Sequence, residues 1–121
     1  MGDAPDLASY LADHPDSAAL LDALRAALAA VGPTEEVVSR SQVAFRRRRT
    51  VVVAWAPGQY LGHGAPLVLT LSFDERDPSP RWKEVVEPHP GRFTHHLELE
   101  RAEDLDDEVR AWLRRAWEAA I

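Results

Sequence analysis

The chain has 121 residues, 45% of them apolar and 28% charged, a size and balance that suit one globular domain and argue against disorder. Twenty acids against 14 bases leave a formal charge of −6, so generic attraction to DNA, RNA or anionic lipid is not expected. There is no cysteine, which excludes disulfides, thiol nucleophiles and thiolate metal sites and fits a reducing compartment.

The N-terminal stretch has neither the basic start nor the apolar length of a signal peptide. Met1-Gly2 looks like an acylation start, but Asp6 stands where serine or threonine is needed. No run approaches the roughly 20 apolar residues that span a bilayer. We expect a cytoplasmic protein with no membrane partner.

Residues 6–13 suit a short helical turn, interrupted at His14-Pro15. A helix then runs to about Val31, capped by Asp16 or Ser17, with Leu20, Leu24, Leu28 and Val31 at helical spacing. Gly32-Pro33 ends it, the glycine expected in the left-handed position. Residues 35–40 read as a strand, and residues 42–45 as either a strand or a turn of helix. Residues 50–55 are a strand on β-branched content, closed by Pro57-Gly58 and followed by a glycine-rich loop.

Residues 67–73 alternate, with Leu67, Leu69, Leu71 and Phe73 on one face. The long connection that follows suggests an element of its own, a short strand over residues 82–86 hairpinned onto residues 93–99. In that last strand Phe93, His95, Leu97 and Leu99 face one way and Thr94, His96 and Glu98 the other. A final helix begins near Glu103 and buries a stripe from Leu105 to Ala120. The order predicts a single α+β domain over residues 1–121. It is a two-layer sandwich, helix, four or five mostly antiparallel strands, helix, with both helices on one sheet face.

Several stretches together resemble an uncharacterised bacterial group, domain-of-unknown-function family 5655. They are Gly32-Pro33; Ser39-x-Ser41-Gln42-x-x-Phe45-Arg46-Arg47-Arg48-Arg49; Trp55-x-Pro57; and Arg81-x-Lys83-Glu84-Val85-Val86-Glu87-Pro88. Gly91-Arg92-Phe93-x-His95-His96-x-x-Leu99, Leu105-Asp106-Asp107-Glu108-Val109 and Trp112-Leu113 complete the set. Members of the family occur alone or fused to another small domain, which implies a modular binding or regulatory part. The layout is also distantly similar to frataxin-like iron chaperones, without ligand residues to carry over.

The one basic block is residues 46–49, four arginines in an acidic chain. Guanidinium groups grip planar anions bidentately, so the block suits a phosphate, a carboxylate or a nucleic-acid backbone. On one strand Arg46 and Arg48 would face opposite to Arg47 and Arg49, so at most two converge unless a turn intervenes. The competing reading is a solvated face paired with the acids of residues 98–108.

Ser39 and Ser41 lie just upstream, and Lys83 beside Trp82 adds a cation and a stacking surface, unless Trp82 merely plugs a hairpin. His95 is either a hydrogen-bonded core histidine or the polar floor of a pocket. His96 and Glu98 share a strand face, with Glu100 beyond, and form a hard-ligand line that is common without metal. A triad drawn from Ser39 or Ser41, a histidine and an acid lacks a nucleophile elbow. No glycine-rich phosphate loop, Cys/His metal spacing or HExxH motif implies a cofactor.

The leading expectation is a binding module for an anionic small molecule or anionic partner segment at Arg46, Arg48, Ser39, Ser41, Lys83, Trp82 and His95. The alternatives are divalent-metal (iron) handling through His96 and Glu98, hydrolase activity, and a protein-interaction module, including a homodimer. No catalytic residue is assigned.

Overall fold

The computed structural model describes residues 6–121; the acylation-like start at Met1-Gly2 lies outside them. Helices α1 (Leu7–Asp13) and α2 (Pro15–Val31) open the chain. Asp6 caps α1 by accepting the Ser9 N–H at 2.9 Å. The second helix starts at Pro15 rather than after a cap at Asp16 or Ser17. Proline's fixed φ suits the first helical position, where its missing N–H costs nothing. Ser17 is instead buried, its hydroxyl donating to the Pro66 carbonyl at 2.7 Å. Gly32 ends α2 in an extended conformation (φ 170°, ψ 172°), not a left-handed one. A Cβ there would collide with the Trp117 ring, so glycine serves close approach rather than a positive φ.

Six strands follow where four or five were expected: β1 (Glu35–Val38), β2 (Val43–Arg46), β3 (Thr50–Trp55), β4 (Leu67–Phe73), β5 (Glu84–His89) and β6 (Arg92–Leu99). They form one antiparallel sheet in the order β1-β2-β3-β4-β6-β5. Strand β1 stops at Val38 because Ser39 turns the chain. Its hydroxyl accepts the Gln42 N–H at 3.2 Å while its own N–H donates to the Gln42 carbonyl at 2.9 Å. A single helical turn, α3 (Gly58–Leu61), occupies the glycine-rich loop and ends at Gly62, whose φ of 75° needs glycine.

The last helix, α4 (Asp107–Ala119), starts later than Glu103 because a 3-10 turn over Ala102–Asp104 comes first. The Asp104 carboxylate is occupied by the N–H groups of Glu100 and Arg101, and Asp106 becomes the cap, accepting the Val109 N–H at 3.1 Å.

Helices α2 and α4 pack on each other and on one face of the sheet, an α+β two-layer arrangement. Leu24, Leu28, Val109 and Leu113 meet Phe45, Val52, Leu69, Leu97 and Leu99 in one core, each such side chain contributing about 1.5–3 kcal/mol on burial. Val53, Trp55, Thr70, His96 and Glu98 point the other way and stay partly exposed. Among the described residues no helix is long and apolar enough to cross a membrane.

Candidate functional site

The arginine block is not one strand. Only Arg46 belongs to β2, whose register with β3 shifts between Phe45 and Arg46; Arg47 to Arg49 form the turn into β3. The Arg47 N–H closes that turn on the Arg49 carbonyl at 3.0 Å, and the Arg48 N–H reaches the Ala120 carbonyl at 3.1 Å. The Arg47 guanidinium lies 3.6 Å over the Trp117 ring and donates to the Trp117 carbonyl at 3.1 Å. The turn therefore caps the C-terminal end of α4, where cations and donors are favourable. The alternation that a single strand would impose on Arg46 to Arg49 is therefore absent.

Three of the acids of residues 98–108 pair with cations outside the arginine block. Asp106 and Glu108 hold Arg81 at 2.9 Å, and Glu98 holds Lys83 at 3.3 Å. Arg46 and Lys83 do not converge, since Lys83 directly precedes β5 and β3, β4 and β6 lie between that strand and β2.

His95 is fully buried on the helix side. Its Nε2 accepts the Asp77 N–H at 2.9 Å, which forces the proton onto Nδ1, and Nδ1–H donates to the Phe93 carbonyl at 3.1 Å. Burial pushes its pKa down, outweighing the Phe93 bond. Trp82 packs beside it, ring centroids 4.8 Å apart, and lies 4.0 Å from Trp112, with its indole N–H on Asp77 at 3.0 Å. Both ring nitrogens of His95 and the indole of Trp82 are thus engaged inside the protein. Ser39 is spent on its own hairpin.

The uncovered sheet face brings a different set together. Val53, Thr70, His96 and Glu84 form a cross-strand row over β3, β4, β6 and β5, and Trp55, Val68 and Glu98 form the next. The Trp55 indole N–H donates to the Thr70 hydroxyl at 3.0 Å, and that hydroxyl meets His96 Nδ1 at 2.9 Å. With the hydroxyl donating, neutral His96 carries its hydrogen on Nε2, for which no described residue is a partner.

Trp55 and His96 stand between two hollows. One, of about 370 Å³, is bounded by Ser41, Gln42, Tyr60 and Thr70. The other, of about 290 Å³, is bounded by Leu61, His63, Val68, Lys83 and Glu98. Of the residues singled out in the sequence, Ser41, Lys83, His96 and Glu98 meet here. Trp55 and Thr70 were not assigned to any site, and only the alternation of residues 67–73 and 93–99, which turns Thr70 and His96 away from the leucine faces, pointed toward this surface.

A hydroxyl does lie within reach of a histidine, but the contact uses Nδ1, and the hydroxyl already accepts the Trp55 N–H. No described carboxylate bonds to His96, so the geometry of a triad is not assembled. Among the described residues no three His, Asp or Glu side chains are grouped to hold a metal ion, and Glu98 is committed to Lys83.

The model of a family described as "Domain of unknown function (DUF5655)" matches residues 7–120. The chain belongs to this family. No curated protein and no solved structure matches it, and the fainter likeness to frataxin-like iron chaperones finds no support. Membership in DUF5655 explains why the motifs extend over nearly the whole chain. Several of them, Gly32-Pro33 beside Trp117 and His95 beside Trp82, mark packing contacts.

Proposed function

We propose that this chain is a small cytoplasmic binding module whose ligand lies in the double hollow on the uncovered sheet face. The observation that carries the reading is the hydrogen-bonded line from Trp55 through Thr70 to His96, which holds both rings in place before any ligand arrives. Holding polar groups in advance lowers the ordering cost of binding. The Trp55 and Tyr60 rings offer a stacking surface, and His96 Nε2–H offers a hydrogen-bond donor.

Glu84 and Glu98 flank His96, with Lys83 as the neighbouring cation. That balance favours a planar molecule that is neutral or weakly cationic. An anion is better served at the arginine end.

Titrating planar heteroaromatic fragments while following tryptophan fluorescence and melting temperature tests the reading. Stabilisation that is lost in His96→Ala and in Trp55→Phe is the expected result; fragments that bind equally well to both variants would refute it.

A second reading is a protein partner on the β1 edge, where Val37 and Val38 are 43% and 58% exposed. It predicts a concentration-dependent mass by light scattering that Val38→Lys abolishes; a constant monomer mass would remove the homodimer.

A further inference from the structure

We propose a second, separate site, a seat for the phosphoryl group of a small phosphate monoester formed by Arg49, Arg92, Thr50 and Ser72. These four residues line a surface cleft of about 30 Å³ at one end of the sheet, closed on one side by the alanines at the end of α4. A cleft this small admits the oxygens of one terminal group and leaves the body of a ligand at its mouth.

The chemistry of the lining is one-sided. Two guanidinium groups and two hydroxyls are donors suited to a tetrahedral oxyanion, and among the described residues no carboxylate lines the cleft. Among the described residues Arg25, Arg81 and Arg115 are paired with carboxylates. Neither Arg49 nor Arg92 has an ion pair among the described residues. The nearest acid in sequence register is Asp74, just past the Phe73–Phe93 pair, and it is exposed without a bond to Arg92.

The scaffold also positions the donors. The Arg47 contacts with Trp117 and the Arg48 N–H bond to Ala120 pin the turn that carries Arg49. Arg46 donates to the Thr50 hydroxyl at 3.2 Å, which leaves that hydroxyl's own hydrogen available to a ligand. Arg92 opens β6 immediately after the left-handed Gly91 (φ 77°), whose N–H is held by Glu87 at 3.0 Å. Helix capping accounts for Arg47 and the Arg48 backbone and leaves Arg49 and Arg92 at the cleft beside Thr50 and Ser72.

The test is calorimetric titration at constant ionic strength with inorganic phosphate and with phenyl phosphate. The comparison is Arg49→Gln/Arg92→Gln against the charge-matched Arg48→Gln/Arg114→Gln, with circular dichroism confirming that both are folded. We expect both ligands to bind the native chain. Their dissociation constants should rise at least tenfold in the first variant and change less than twofold in the second. No heat beyond dilution in the native chain, or equal weakening in the two variants, overturns the site. Binding of phosphate with exclusion of phenyl phosphate overturns the ester assignment. His96→Ala should leave phosphate binding intact, which separates this proposal from the one on the sheet face.

Discussion

Asp77 donates its backbone N–H to His95 Nε2 at 2.9 Å, and this bond ties the long connection between β4 and β5 to the core. The Asp77 carboxylate faces the Trp82 N–H and the Arg115 guanidinium, so one residue anchors the segment from both its backbone and its side chain. Burial alone would raise the Asp77 pKa, but the Trp82, Ser79 and Arg115 contacts outweigh it and hold the carboxyl below its ordinary value.

Replacing His95 by leucine keeps the volume and leaves the Asp77 N–H and the Phe93 carbonyl without partners. Loss of about 2–4 kcal/mol of unfolding free energy is expected, measured by urea denaturation, together with faster proteolysis within residues 74–83. A stability equal to that of the native chain would contradict the assignment.

The same histidine makes stability depend on pH. Its folded pKa is below the usual imidazole value of about 6.5, so between the two values the unfolded chain binds the extra proton. Stability from this group is therefore full above about pH 6.5 and falls as pH drops toward the folded value. Urea midpoints taken from pH 7.5 down to pH 5 should decline, and His95→Leu should flatten that decline.

Gly32→Ala puts a methyl group into the Trp117 ring. Overpacking of this kind costs about 1–3 kcal/mol, and Gly32→Ala combined with Trp117→Leu should recover part of it. A double-mutant cycle in thermal melts reads that coupling.

Arg47→Ala removes the stacking on Trp117 and the bond to its carbonyl, both at the end of α4. A loss of about 0.5–1 kcal/mol is expected for an exposed contact, while Arg48→Ala should be near neutral because its bond to Ala120 uses the backbone. Equal effects would mean that the turn is held by charge alone.

Much of the fold was legible because its signals are local. The alternation of residues 67–73 and 93–99 and the leucine spacing before Gly32 placed the core and separated His95 from His96 by face. Element boundaries were less legible wherever a side chain competed with the backbone. Asp104 took two N–H groups and delayed α4, and Ser39 cut β1 short. The candidate site was mostly hidden because it depends on register between strands far apart in sequence. Nothing local to Thr70 shows that it lies between Trp55 and His96. The placement of the arginine run was hidden for the same reason: its partner, the end of α4, lies some seventy residues away.

The central claim is that ligands bind across the Trp55–Thr70–His96 line. Its most direct test is a set of 1H–15N correlation spectra of the labelled chain with planar heteroaromatic fragments. The account predicts that the largest shifts fall on the Trp55 indole N–H, the His96 ring and the amides of residues 68–70 and 96–98. Shifts confined to the helix side, or the absence of any bound fragment, would contradict it.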